Sequence, residues 1–350
     1  VKVLLIRLSS LGDVVLATAA VEALREDQPE AELHVLTKPI FRAVFQGNPG
    51  VAAAVAWGPA QGLSSLARQL RSESYDWVVD LHGNLRTRLL RFLVPMPRWT
   101  RYAKGSLRRR VAVAWRNPAM LGEAHVVDRY VEALAPLGVR SIRRLPRLYP
   151  GDAERTCARS LLSEAGRRAE ELVVALAPSA RWPTKAWPRE RWRELLRELA
   201  ALAPGVFPVL VGGAEDRALC AAILGAERGA ALAGKTSVLE TAAILEEARV
   251  LVTNDSAPLH LANAVGTPVV ALFGPTVRGF GFYPLGPRDV VLEQALSCRP
   301  CSLHGGERCR EGNPRCLTEI TAGEVRDAVG RALEESGGTG RKERGTHGAP

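Results

Sequence analysis

Residues 2–26 read KVLLIRLSSLGDVVLATAAVEALRE. The run 2–8 has the make-up of a buried β-strand, and 14–26 carries apolar residues at helical spacing. Between them LSSLGD (8–13) forms a tight turn, so the chain opens as strand, turn and helix. In a dinucleotide-binding protein that turn is rich in glycine, because the backbone must approach a pyrophosphate closely. Here Gly12 is the only glycine, and Asp13 puts a negative charge at the positive end of a helix, where a phosphate would otherwise sit. Such a carboxylate is either an ordinary helix cap or a group placed there for chemistry.

At 350 residues the chain is long for one compact core and comfortable for two, and an apolar fraction of 47% can fill both. Disorder is excluded for most of its length. No stretch reaches ~18 uninterrupted apolar residues, and the N-terminus enters a strand pattern with no signal-peptide layout, so the expectation is a cytoplasmic protein. The net charge of +10 is local: from Arg86 to Arg116 there are ten basic residues and no Asp or Glu. An acidic partner is expected there, whether nucleic acid, anionic lipid headgroups or a phosphorylated or carboxylated sugar.

Strand-like runs at 31–37, 51–57 and 75–81 alternate with helix-compatible stretches, the βαβ pattern of a parallel sheet. An amphipathic helix is predicted over 125–138, then a linker with two prolines at 141–152. The strand pattern restarts at 171–178, 206–213, 248–254 and 268–276. These runs predict an α/β protein of two doubly wound, Rossmann-like domains, 1–150 and 151–335, facing each other across a cleft. The last helix is expected at 321–335, and the tail 336–350, low in apolar residues, is expected to be disordered.

The most informative stretch is TNDSAPLHLANAVGTPVVALFGPT (253–276). A strand runs into Asn254, Asp255 and Ser256, Pro258 suits a first helical turn, and Gly266 closes the helix. The free amides and the Ser256 hydroxyl can hold a diphosphate, or Asp255 or Ser256 can simply cap the helix. The loop PSARWPTKAWPRERW (178–192) offers Ser179, Arg181, Thr184 and Lys185. Lysine supplies a point charge for phosphate without a metal, and the sequence has no Walker lysine motif and no ligand-type histidine cluster. The plainer alternative is a surface loop whose Trp182 and Trp187 pack on the domain. In VLVGGAEDRA (209–218), Glu215 follows a strand end, where a carboxylate can accept both ribose hydroxyls. Cys298, Cys301, Cys309 and Cys316 form C-x2-C-x7-C-x6-C, which in a cytoplasmic protein points to metal more than to disulfides. Structural zinc is the chemically reasonable ion, with reduced packing thiols or a redox-labile pair as the alternative.

Taken in order, the segment at 3–25, VVDLHGNLRTRLL (78–90), PSARWPTKAWP (178–188), AGKTS (233–237), the stretch 253–276 and SCRPCSLHGGERCREGNPRCLTEIT (297–321) resemble the ADP-heptose:lipopolysaccharide heptosyltransferases, glycosyltransferase family nine. The resemblance runs from residue 1 to about 330, and the cysteine cluster leans it toward the second heptosyltransferase of the pathway. It implies a GT-B fold with the acceptor bound mainly by the first domain and the sugar nucleotide by the second. It also implies metal-independent, inverting transfer of heptose from ADP-heptose to the inner core of lipopolysaccharide, with no cofactor required.

Carried over residue by residue, the family's catalytic aspartate falls on Asp13, beside Gly12 on the acceptor side. Its phosphate-contacting lysine falls on Lys185, accompanied by Ser179 and Arg181. Its Asp-Ser/Thr-Gly-x-x-His segment falls on Asp255, Ser256, Ala257 and His260, and its ribose-binding glutamate on Glu215. Ala257 departs from the glycine common there, narrowing the space beside the phosphates without removing the amide. Arg86, Lys104 and Arg108 of the basic segment are the expected acceptor contacts, since Kdo carboxylates and lipid A phosphates are acidic. The same charges would hold the enzyme at the anionic inner-membrane surface without spanning it. The other readings are a family member using a different nucleotide sugar, a nicotinamide-dependent oxidoreductase, whose G-x-G-x-x-G is missing, and a nucleic-acid-binding protein. The last has few interleaved aromatics in the basic segment and leaves the 253–276 helix unexplained.

Overall fold

The computed structural model describes residues 1–94, 98–141, 145–202 and 205–338. Its strands form two sheets, parallel throughout. The first contains β1 (Lys2–Ile6), β2 (Glu32–Thr37), β3 (Ala53–Ala56), β4 (Trp77–Asp80) and β5 (Trp99–Arg101) in the order β3-β2-β1-β4-β5. The second contains β6 (Leu172–Ala177), β7 (Val206–Leu210), β8 (Ala230–Ala231), β9 (Ala248–Asn254), β10 (Val269–Phe273) and β11 (Val290–Glu293) in the order β11-β10-β9-β6-β7-β8. Both sheets follow the same winding. In each, the first and fourth strands are neighbours and the chain leaves them toward opposite edges, which opens a crevice at their carboxyl ends.

The helices of the first half are α1 (Leu11–Asp27), α2 (Leu63–Ser72), α3 (Leu85–Leu93), α4 (Ser106–Ala114) and α5 (Val126–Glu132). Those of the second are α6 (Asp152–Glu164), α7 (Arg189–Ala200), α8 (Arg217–Leu224), α9 (Val238–Glu247), α10 (Ala257–Val265), α11 (Arg315–Thr318) and α12 (Ala322–Gly338). Helices cover the sheets, so the central strands are buried on both sides and read as continuous apolar runs.

One apolar cluster runs through both halves: it joins Val14, Leu16 and Ala20 of α1 with Leu259, Leu261 and Ala262 of α10. The linker is clamped between the same two helices. Arg147 N donates to Thr18 Oγ1 (2.8 Å), Leu148 N to Ala264 O (3.1 Å), and the Tyr149 hydroxyl to Glu22 Oε2 (2.9 Å). The N-terminal turns of α1 and α10 are therefore held against each other.

Three strands escape the sequence pattern: β5, β8 and β11 are short outer strands whose formation depends on a paired neighbour rather than on their own residues. The helix predicted over 125–138 stops at Glu132 and gives way to a single tight turn at Ala135–Leu137, because Pro136 has no amide to donate. The last helix continues through Gly338, three residues past its predicted end, and the rest of the expected disordered tail lies outside the described residues. Among the described residues no helix is long and apolar enough to cross a membrane.

Candidate active site

At the first switch point the loops after β1 and β4 are tied by Arg7, whose Nη1 donates to Leu81 O at 2.5 Å. Arg7 is the one buried charge of the first strand region, and it has an evident use: its Nη2 lies 2.7 Å from Asp13 Oδ1. Ser10 donates to the other oxygen, Oδ2, from its amide (3.2 Å) and its hydroxyl (2.8 Å), and the Tyr130 hydroxyl stands 3.5 Å from Oδ1. The Asp13 carboxylate thus reaches back to the residue before the helix as half of a capping box does. A cap needs neither a buried arginine nor a tyrosine beside it. Burial acts to raise the Asp13 pKa, but the Arg7 charge and the Ser10 hydrogen bonds outweigh it, and the carboxylate is held below its ordinary range. Its side chain keeps 21% of its surface exposed, enough to meet a substrate hydroxyl.

The second switch point is built in the same way. Asn254, at the end of β9, bonds Pro178 O with its amide nitrogen (2.8 Å) and accepts from Trp187 N (3.0 Å), fixing the loop after β6. That loop then places Lys185 Nζ 2.5 Å from Asp255 Oδ2, which also accepts from the Thr276 hydroxyl at 2.6 Å. Two of the predicted nucleotide residues therefore hold each other, and Asp255, buried, serves to aim Lys185. Ser256 is the residue before α10 and makes no side-chain cap to it; its hydroxyl lies 3.4 Å from that of Thr253, the Leu259 amide donates to Ser256 O (3.2 Å), and Pro258 brings no amide to this first turn.

The two switch points meet. A Cβ on Gly12 would lie 2.8 Å from His260 Cδ2 and 3.6 Å from the Ala257 Cα, so glycine is needed there for the first turn of α1 to touch that of α10. Gly12 thus has a packing reason independent of any substrate. His260 is buried against it, and burial pushes its pKa down to about 4, leaving a neutral ring beside Asp13, Asp255 and Lys185.

His82, in the loop after β4, is likewise lowered to about 4 by burial and by Arg7 and Lys104. Both histidines ordinarily titrate near 6.5, so between that pH and about 4 the unfolded chain binds protons that the folded one refuses. The sign follows: stability is fully present above about pH 6.5 and falls as pH drops toward 4, while the depressed Asp13 adds its own loss only below about 3.8. Thermal melts across this range are expected to show Tm declining from pH 6.5 downward, with a shallower decline in His260→Gln; an unchanged slope in that variant contradicts the assignment.

The remaining predicted residues fall in three groups. Ser179 and Arg181 lie in the loop after β6, with Arg181 stacked over Trp182 (5.8 Å), while Trp187 packs inward as the plainer reading had it. Glu215 is exposed in the turn after β7, on the same edge of its sheet as Lys185. Lys104 sits half-buried near Asp13 and Asp80, its pKa lowered by burial and Arg7, whereas Arg86 is exposed on α3.

Arg108 turns away: its Nε donates to Met120 O at 2.5 Å and secures the turn at 118–120. Its neighbour Arg109 packs over Phe282 of the second domain (5.3 Å), with Nε and Nη2 buried and without a hydrogen-bond partner. Within the basic run no sequence signal separates the two arginines. His304 also enters the site unannounced, its pKa lowered by burial and by Lys185, on a loop where Gly306 O accepts from the Thr184 amide (3.2 Å) and hydroxyl (2.9 Å).

Cys301, Cys309 and Cys316 line a cavity of about 130 Å³ beside Thr184, Cys298 stands outside it, and all four are free thiols. Among the described residues no group of three or more His, Cys, Asp or Glu is placed to hold a metal ion. Burial, with the neighbouring thiols, raises the thiol pKa of Cys301 and pushes that of Cys316 up to about 11. A cavity of about 610 Å³, lined by Glu22, Arg25, Gly50 and Arg147, lies toward the far end of α1 and contains none of the predicted site residues.

Two Rossmann-like domains of identical winding, with their switch points apposed across a cleft, define a two-domain α/β enzyme of the GT-B kind. The family model for glycosyltransferase family 9 (heptosyltransferase) matches residues 63–309, and the chain belongs to that family. It is a glycosyltransferase. It is 27% identical to lipopolysaccharide heptosyltransferase 2 of Salmonella typhimurium over 96% of this chain and 99% of that protein. Its fold matches a family 9 glycosyl transferase from Veillonella parvula (TM-score 0.78, 23% identity, 95% of this chain and 97% of that one). It also matches E. coli ADP-heptose lps heptosyltransferase II (TM-score 0.75, 22% identity, 96% and 100%).

Proposed function

We propose that the protein transfers heptose from ADP-heptose to a hydroxyl of the lipopolysaccharide inner core, Kdo-lipid A or heptosyl-Kdo-lipid A, by a single inverting displacement that uses no metal. The observation that carries this reading is the apposition of Asp13, held ionised by Arg7 and Ser10, with the Lys185–Asp255 pair and the first turn of α10. In this reading residues 1–150 bind the acceptor and 151–335 the sugar nucleotide. Lys185, the Ala257 amide with the dipole of α10, and Ser256 take the negative charge that grows on the departing diphosphate. Ser179 and Arg181 flank it, and Glu215 accepts the ribose hydroxyls.

Asp13 removes the proton from the acceptor hydroxyl as that oxygen attacks the anomeric carbon from the face opposite ADP. Arg7 keeps the base charged and, through its bond to Leu81, fixes it relative to the loop after β4. On the acceptor side Lys104 and Arg109 both feel the charge of Asp13, and the unsatisfied guanidinium of Arg109 suits a carboxylate. The remaining basic residues attract the enzyme to an anionic leaflet in which the acceptor is anchored. The test is ADP release from ADP-heptose with heptose-deficient core lipid as acceptor: release that requires the acceptor and survives EDTA is expected. Release that EDTA abolishes refutes the metal-independent mechanism, and binding of a different nucleotide sugar alone refutes the donor.

A further inference from the structure

Nine large apolar side chains are exposed among the described residues, and six of them, Leu85, Leu89, Phe92, Leu93, Leu107 and Trp115, lie on α3, on α4 or on the residue that closes α4. Their positions are ordered. On α3 the exposed apolar residues are 85, 89, 92 and 93, spaced i, i+4, i+7 and i+8, which is one helical face. On α4 the same spacing gives Leu107, Val111, Ala114 and Trp115. In both helices an arginine stands at i+1 and another at i+3, one on each flank of the stripe: Arg86 and Arg88, Arg108 and Arg110.

The opposite face of α3 is the one that packs, through Leu90 and Thr87, so the outward stripe is not needed by the fold. Phe92 is 82% exposed and Trp115 77%. The helices follow the paired strands β4 and β5, and their beginnings adjoin, since a Cβ on Gly83 just before α3 would lie 3.4 Å from Lys104 Cε and 3.5 Å from Arg101 Cδ. The two helices thus start in one region, next to Lys104, whose charge feels Asp13, inside the segment that carries ten cations and no acid.

We infer that α3 and α4 form an interfacial anchor that inserts the side chains of Leu85, Leu89, Phe92, Leu107 and Trp115 among the acyl chains of an anionic membrane leaflet, with Arg86, Arg88 and Arg110 on the headgroup phosphates. An apolar stripe bordered by arginines is the geometry of a helix lying in the interface plane, and a tryptophan at its edge suits the headgroup boundary. The charge of the segment selects an anionic surface over a protein face of mixed sign. The inference deepens the reading of the acceptor as lipid-borne, because a leaflet held there brings a lipid-anchored hydroxyl to the cleft mouth. It goes beyond simple attraction by the basic residues, which would be abolished by salt.

The experiment is cosedimentation of the full chain with phosphatidylglycerol-containing vesicles, in low and high salt, for wild type and the double variant Leu85→Glu, Phe92→Glu. Wild type is expected to bind, to retain part of its binding in high salt, and to bind phosphatidylcholine vesicles weakly. The variant is expected to lose binding roughly tenfold or more while keeping its thermal melt and its transfer to a deacylated, water-soluble acceptor. Binding unchanged in the variant, or wild-type binding lost entirely in high salt, overturns the anchor. So does a variant whose only change is its sedimentation-equilibrium mass, which would make the face a contact between copies of the chain. Vesicle binding as expected in a protein that transfers nothing to either acceptor sinks the heptosyl-transfer reading and leaves the anchor standing.

Discussion

Asp13→Asn is expected to lower kcat by roughly 10²–10⁴-fold, the range a positioned general base contributes, while leaving the affinity for ADP nearly unchanged. Asparagine can keep its oxygen toward Arg7, but its NH2 then stands where Oδ2 accepted from Ser10, so the bond from the Ser10 amide is lost together with the charge and the proton acceptor, while the Ser10 hydroxyl can turn to accept. Arg7 is then a buried cation without its anion, though still bonded to Leu81 O, and a drop in Tm should accompany the loss of rate. Comparing kcat at a temperature where both forms are folded separates the two effects. A variant that keeps most of its kcat assigns the carboxylate to capping, and the base must be sought elsewhere.

Lys185→Met should reduce kcat by roughly 10²–10³-fold, as removal of one preorganised donor from a developing anion does, and should weaken ADP binding as well. The structure adds a second consequence. Lys185 is the cationic partner of Asp255, which would be left buried with only the Thr276 hydroxyl to donate to it. Asp255→Asn tests the positioning role from the other side: the lysine stays and loses its aim, so KM for the sugar nucleotide should move less than kcat. Equal and small effects of both substitutions on ADP binding and rate, measured by calorimetry and initial rates, would remove Lys185 from the phosphate site.

Much of the fold was legible because its deciding segments carry their own signals. The run 2–26 states strand, turn and helix in order, and 248–266 repeats the statement with a proline at the start of the helix and a glycine at its end. What stayed hidden depends on contacts distant in sequence. The outer strands β5, β8 and β11 exist because β4, β7 and β10 offer them a hydrogen-bonding edge.

The site divides along the same line. Asp13, Lys185, Asp255 and His260 were marked by local motifs, and the structure brings all four to the junction of α1 and α10. Arg7, Tyr130 and Thr276, which tune or orient them, come from a strand end, a helix and a loop far apart in the chain. Arg7 did leave a trace, a charge at the end of an otherwise buried apolar run. Arg109 left none: only its packing against Phe282 of the other domain distinguishes it from Arg108. The cysteine spacing suggested a metal site; the fold brings Cys301, Cys309 and Cys316 around one small cavity, and among the described residues no group of three or more His, Cys, Asp or Glu is placed to hold a metal ion.

The most direct test of the account is the anomeric configuration of the product, read by NMR after incubating the protein with ADP-heptose and the core lipid acceptor. A single base opposite a departing diphosphate predicts one new heptosyl unit whose anomeric configuration is inverted relative to the donor. A product of retained configuration, or an acceptor recovered without heptose, would contradict direct displacement with Asp13 as the base.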